Sequence, residues 1–445
     1  MHRSFAIIIT VLMALSCSVK GQDTSLASLP QYWTLQQCIE YARTHNISVA
    51  TLRLTARSTQ EDLLQSKAAV LPDLNGSVSQ NLVNGNNSKE ATTNSQPKVR
   101  FSGSYGLSSS IVVYQGGYLR NDIKAKQFSL QSANLTVKEA ENSITLSITQ
   151  AFFNILLAKE TVGSFDAVLS TSTGQLKQGQ YRYNEGAIAK KELLQLESQV
   201  ATDDYNLTNA MNTLKLNTVD LKQLLQLPSS FDFKIAAPDS INIQQEVTAL
   251  PEAQRLAMQT RPEVKNKEVA IKISEVELLK SKAALKPTIS VGAGLATDYS
   301  NGQSAFFLSQ LHNNFYQSLG VNMSVPIYSR RVNRSNINRS KIQLEQSKLA
   351  LYDTKTTLDQ LVEGAYINLL NAHAQYTSAA KRLKTSEQIY FITNEQLKLG
   401  AVTTVELLQI KNEYVEALEN TIQAKYNVAL YNAIYEFYMG IPVSF

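Results

Sequence analysis

Cysteine is scarce in this sequence. Cys17 and Cys38 are the only two in 445 residues, so no disulfide framework can hold the fold. Histidine is equally thin: His2, His45, His312 and His373 are scattered along the chain. Neither HExxH nor GxSxG occurs, so zinc-hydrolase and nucleophile-elbow chemistry have no sequence support. No phosphate-binding P-loop is present, which excludes nucleotide hydrolysis by the chain itself. The net charge of +5 is spread along the chain without a Lys/Arg-dense block. That leaves no electrostatic footprint for nucleic acid. Beyond residue 21 there is no run of about 18 apolar residues, the minimum for a membrane-crossing helix.

What is present begins with an export signal. His2 and Arg3 make a short basic start, and residues 5–15 are apolar apart from Thr10. The run is too short to span a bilayer and reads as a signal peptide over residues 1–21, cut before Gln22. A rival reading makes Cys17 a lipidated N-terminus, although Ala14 stands where lipidation signals carry leucine. An exported chain without a spanning helix is periplasmic, secreted or an outer-membrane barrel.

The chain contains itself twice. Gly186-Ala187-Ile188 followed by Glu192-Leu193-Leu194 recurs as Gly400-Ala401-Val402 followed by Glu406-Leu407-Leu408. Leu227-Pro228 recurs as Ile441-Pro442, and the segment 66–72 recurs, with changes, as 281–287. A single long period is a duplication and not a short-repeat solenoid.

Within each half the apolar period is seven. Leu35, Ala42, Val49, Ala56, Leu63 and Val70 form one ladder. Ile123, Leu130, Val137, Ile144, Ala151, Ala158 and Phe165 form a second, and Leu193, Val200, Leu207, Leu214 and Leu221 a third. A seven-residue period predicts long helices that supercoil against neighbours. The spans read as 34–69, 118–184 and 192–225, and the longest is roughly 100 Å at 1.5 Å per residue. The two shorter helices end to end match the long one. The long helix therefore leaves the membrane, turns at Gly186 and returns halfway, leaving the segment near 228–248 and both chain ends at mid-height.

Between the first two ladders the period changes to two. Residues 74–82 and 101–113 alternate apolar with small polar, and so do 289–299 and 315–327 in the second half. Such strands suit a barrel that is apolar to lipid and polar to its lumen, with aromatics such as Phe101, Tyr114, Tyr299, Phe315 and Tyr328 at the interfaces. The polar loops 84–97 and 300–314 would face outside. Four strands cannot close a barrel, and open edges in lipid cost several kcal/mol per unpaired group. Two chains give eight strands and a filled interior. Three give twelve and leave a pore.

Further residues carry a family resemblance. They are Trp33-Thr34-Leu35-Gln36-Gln37-Cys38-Ile39 leading to His45-Asn46, and Arg261-Pro262-Glu263-Val264 opening the second half. Pro72 and Pro287, Tyr114-Gln115-Gly116-Gly117, Val325-Pro326-Ile327-Tyr328 and the two glycine turns complete the set. In this order, and twice over, they resemble the TolC family of outer-membrane efflux proteins across residues 34–442. The resemblance implies a mainly α fold with a transmembrane β-barrel portion. Three chains would form an α-helical tunnel and a twelve-stranded barrel, four strands per chain. Residues 34–228 form the first repeat, 229–248 a mid-height linker and 249–442 the second repeat. The implied function is a passive exit duct for small molecules in a tripartite efflux system. The implied partners are two further copies, outer-membrane lipid, a periplasmic adaptor and an inner-membrane pump of the RND type. No cofactor, metal or nucleic acid is implied. Two rivals stand beside this reading: a channel for type I protein secretion, and a non-channel periplasmic coiled-coil scaffold.

The resemblance places adaptor contact and gating at the hairpin tips. These are Asn184, Glu185, Gly186, Ala187 and Ile188, and Leu399, Gly400, Ala401, Val402 and Thr403. The glycines there also serve simply to end a helix in the left-handed conformation, and Glu192 and Glu406 to favour the helix dipole. Some family members carry an acidic ring near the closed end, but no paired aspartates are found here. Tyr390 and Phe391 stand nearby as a candidate constriction, although Tyr390 also continues an apolar series through Val362, Leu369, Tyr376 and Leu383. Gly116-Gly117 allows the strand-to-helix turn. Arg330-Arg331 occupies the matching place, which predicts that two glycines are not needed there and that the arginines snorkel at the interface.

Overall fold

The computed structural model describes residues 30, 32–85, 98–236, 247–301 and 305–443. The signal segment 1–21, with Cys17, lies outside these, as do most of the loop 84–97 and half of the linker 229–248. In the first half, β1 (Tyr32–Trp33), α1 (Leu35–His45) and α2 (Ile47–Ala68) lead to β2 (Asn75–Gly85) and β3 (Lys98–Gln115). The long α3 (Tyr118–Asn184) and the returning α4 (Lys190–Leu224) follow, then β4 (Lys234–Ile235). The second half holds α5 (Leu250–Thr260), α6 (Pro262–Ala283), β5 (Thr288–Ser300), α7 (Phe307–Asn313), β6 (Tyr316–Ser324), α8 (Val332–Lys398) and α9 (Thr404–Tyr438). The duplication is reproduced in helix length: 11 residues for α1 and α5, 22 for α2 and α6, 67 for α3 and α8, and 35 for α4 and α9.

The first span is not one helix, as its heptads suggested, but two. Asn46 breaks it with φ −65° and ψ 127°, and its side chain caps the amides of Ser48 and Val49. The second half breaks at the equivalent place, where Pro262 holds Arg261 out of the helical region. Arg261 is buried there, paired with Glu263 at 2.7 Å and lying over the Phe437 ring at 4.7 Å. Each long helix packs against the shorter helices in turn, α3 on α2, α1 and α4, and α8 on α6, α5 and α9.

The main core sits at mid-height, where both halves meet. Trp33, Ile39, Phe152, Phe153, Leu225, Phe233, Ile422, Tyr426 and Phe437 share one buried cluster. Tyr32–Trp33 pairs in parallel with Lys234–Ile235 to pin the linker beside α1. Cys38 is fully buried here, and burial pushes its thiol up to about 12.

The four longer strands form one sheet in the order β2-β3-β5-β6. The register puts Val78, Tyr105 and Thr297 in one row, and Leu107, Leu295 and Gln317 in another. One face thus carries Val78, Leu82, Phe101, Tyr105, Leu107, Ile111, Val291, Leu295, Leu319, Val321 and Met323. The opposite face carries serines, glycines and asparagines, together with Arg100 and Asp298. The alternation slips once. A register shift between Val112 and Tyr114 sets Tyr114 opposite Ile289, so Tyr114, and not Val113, continues the apolar face. The last strand also stops at Ser324, short of Val325 and Ile327, because Pro326 cannot donate to a ladder.

Both strand-to-helix turns use the same backbone. Gly116 and Gly117 have φ of 63° and 87°, and Arg330 and Arg331 have 47° and 68°. Two glycines are thus not needed at the second turn, where two arginines adopt the same left-handed conformation against their steric preference. At Gly116 space also demands glycine, since a Cβ would stand 2.7 Å from the Ala283 carbonyl oxygen.

Candidate functional site: the paired hairpin tips

The ends of α3 and α8 are built alike. Gly186 has φ +73° and Gly400 φ +75°. The amide of Gly186 donates to the Tyr183 carbonyl at 2.9 Å, and that of Ala187 to the Arg182 carbonyl at 2.7 Å. The amides of Gly400 and Ala401 do the same to Leu397 and Gln396, at 3.1 and 3.0 Å. Each is a Schellman motif, which satisfies the helix's last carbonyls and reverses the chain. Thr403 then caps α9 by accepting from the Glu406 amide. Ile188 and Val402 are half-buried, whereas Asn184, Glu185, Gly186, Ala187, Leu399, Gly400, Ala401 and Thr403 are exposed. Leu399 is 84% exposed at its tip.

The two hairpins are joined by a polar seam that the sequence reading missed. Lys425 pairs with Glu160 at 2.8 Å, and the Tyr426 hydroxyl donates to the same carboxylate at 2.6 Å. Nearer the tips, Lys411 of α9 meets Asp203 of α4 and the Ser172 hydroxyl of α3. Asp203 and Lys411 are only 3% and 2% exposed. Burial lowers the Lys411 pKa, while the Asp203 carboxylate works in the opposite direction. Next, the Gln175 amide donates to the Tyr390 hydroxyl at 3.0 Å and to Asn394 at 3.2 Å. At the end, Arg182 donates to the Leu397 carbonyl at 3.3 Å, and Thr404 to Glu192 at 3.1 Å. A cavity of about 360 Å³ lies between the tips, lined by Gln175, Arg182, Ile188, Leu196, Asn394 and Leu397.

Tyr390 belongs to this seam. Its ring stacks on Tyr414 at 5.4 Å, and it is half-buried. Its neighbour Phe391 is 66% exposed. Glu192, expected only to favour a helix dipole, also accepts from the other hairpin. A signal for the missed pair was present in the heptads. Asp203 falls in the row Leu196, Asp203, Ala210, and Lys411 in the row Thr404, Lys411, Leu418, each a lone charge facing a seam.

A stalk of paired long helices, carrying a sheet with one lipid-compatible and one polar face, defines a class: the subunit of an outer-membrane duct. Comparison with known proteins narrows it. The sequence profile described as "Outer membrane efflux protein" matches residues 38–226 and 254–433, once in each half. The chain is 20% identical over 408 residues to the outer membrane efflux protein BepC of Brucella suis, covering 89% of this chain and 83% of that one. It is 22% identical over 412 residues to the cation efflux system protein CusC of Escherichia coli K12, covering 87% and 83%. Its fold superposes on the crystal structure of CusC with a TM-score of 0.79 at 16% identity, over 92% of both chains. For the outer membrane protein VceC of Vibrio cholerae the TM-score is 0.78 at 14% identity, covering 92% and 97%. The chain belongs to the outer membrane efflux protein family. It is accordingly an outer-membrane efflux channel and not an enzyme.

Proposed function

We propose that the chain is the outer-membrane exit duct of a tripartite efflux system, a passive conduit for small molecules expelled by an inner-membrane pump. The observation that carries this reading is the sheet. Among the described residues its β2 and β6 edges pair with no further strand, and its apolar face bears no charged residue. Three copies would pair these edges into a closed twelve-stranded barrel, with Arg100 and Asp298 turned to the lumen. Closure removes the unpaired backbone groups that lipid does not tolerate. The repeats are then residues 34–228 and 249–442, linked at mid-height by 229–248, after a signal peptide of 1–21.

The tips 184–188 and 399–403 are assigned to a periplasmic adaptor and to closure of the tunnel. Leu399 is a large apolar side chain exposed where a partner would dock. Phe391, exposed beside the seam, is the member of the aromatic pair free to narrow the tunnel. A pump would supply the energy, since the sequence carries no P-loop; the TolC resemblance favours the RND type. Gly400→Pro tests the tip. Proline cannot adopt φ +75°, so cells carrying this variant should lose most of their drug resistance while the trimer and barrel persist. Full resistance would overturn the assignment.

A further inference from the structure

We propose that α7, in the connection between β5 and β6, lies in the outer-leaflet interface as a lipid anchor, and is not a solvent-facing loop. This rests on the reading of the sheet's apolar face as the lipid-facing one. Three observations place the helix on that side. Phe307 packs edge-on against Tyr299, with ring centroids 4.6 Å apart. Tyr299 in turn packs on Phe101 and donates to Gln80, and all three stand on the apolar face. Thr297, on the same face, donates to the Leu311 carbonyl at 2.7 Å. The end of the sheet involved is the one remote from the helices, so it is the outer rim.

The connection is held in place there. The Gln310 side chain is buried, accepts from the Ser300 amide at 2.9 Å and donates to the Ala305 carbonyl at 2.7 Å. At the other end of the connection, where the chain crosses into β6, Asn314 donates at 2.8 Å to the carboxylate of Asp298 on the opposite face. Phe307 packs on the sheet, while its neighbours Phe306 and Leu308 are 91% and 77% exposed. In water these two would leave an unpartnered apolar ridge. On this side of the rim they continue the apolar face of the barrel into the interface, where Phe and Leu partition favourably. Composition agrees: residues 299–329 contain no Asp, Glu, Lys or Arg. Charge on a lipid-facing surface is disfavoured, most at the bilayer midplane and least near the interface. The sequence alone places this loop outside as a polar one, although it holds Phe306, Phe307 and Leu308.

The test uses the full-length protein in vesicles of phosphatidylcholine with brominated acyl chains, which quench tryptophan on contact. Trp33 is the sole native tryptophan and lies in the mid-height core, so wild-type emission should be unaffected. Leu308→Trp should lose most of its added emission to bromine and little to aqueous acrylamide. Phe306→Trp is run beside it, and whichever variant retains the wild-type oligomer is read. Leu319→Trp, in mid-strand on the apolar face, is the control for the barrel. If Leu319→Trp is quenched by bromine but the α7 variants are quenched only by acrylamide, the helix faces solvent and the inference falls. Shielding of the α7 variants from both quenchers would assign the ridge to a neighbouring copy and overturn it as well. Absence of bromine quenching at Leu319→Trp would contradict the barrel reading itself, and the inference with it.

Discussion

Lys411 and Asp203 are the residues on which the seam between the hairpins most depends. A buried pair is expensive to form, because each charge loses its hydration. Here the Ser172 hydroxyl and the Gln199 amide, 3.0 Å from Asp203, share the task of replacing water. Removing one partner strands the other. Lys411→Ala should therefore cost about 3–5 kcal/mol, read as a lower unfolding midpoint of the helical signal. The double variant Asp203→Leu/Lys411→Met, of similar volume and without charge, should recover most of that loss. Failure of the double variant to recover would mean that the pair stabilises the fold beyond mutual neutralisation. At this scale the sequence was partly legible. Gly186 and Gly400 announced left-handed helix ends, because that conformation selects glycine. Arg330, Arg331 and Gln226, all with positive φ, announced nothing, since none of these residue types favours it.

Elements were legible where a period ran unbroken. The spans expected at 118–184 and 192–225 agree with α3 and α4 to within two residues. The first span failed at Asn46, because the heptad ladder continues across the break: Ala42 and Val49 are both buried on either side of it. The asparagine is a capping residue set inside an apolar rhythm, and period alone does not see a cap. Its loss should be felt through α2. Asn46→Ala removes acceptors for two amides and a donor to the Leu224 carbonyl, and should cost about 1–2 kcal/mol. Asn46→Asp keeps the cap and should cost less; equal thermal midpoints for Asn46→Ala and the wild type would contradict the role. The strands were legible in their alternation but not in their ends. The register shift at Val112/Tyr114 and the stop at Ser324 depend on a partner strand and a proline, and alternation records neither.

At the scale of the molecule, duplication and amphipathic strands together imply more than one chain. A single sheet of four strands exposes two edges and an apolar face, a structure lipid rejects at the edges and water rejects at the face. Association of three chains answers both, and the two halves of each chain would then give the tunnel six similar hairpins. Periodicity marks Asp203 and Lys411 as lone charges in their rows, but it does not show which groups meet across the hairpins. The seam joins positions more than 200 residues apart through Lys411 and Asp203, Thr404 and Glu192, Gln175 and Tyr390. Only the folded arrangement brings these groups together.

The most direct test of the duct is single-channel conductance of the detergent-purified protein in a planar bilayer, with its oligomeric mass measured on the same sample. The account predicts a trimer that inserts and shows discrete conductance steps. A monomer, or an oligomer that leaves the bilayer silent even when the tip seam is loosened by Lys411→Ala, would contradict it and favour a periplasmic scaffold.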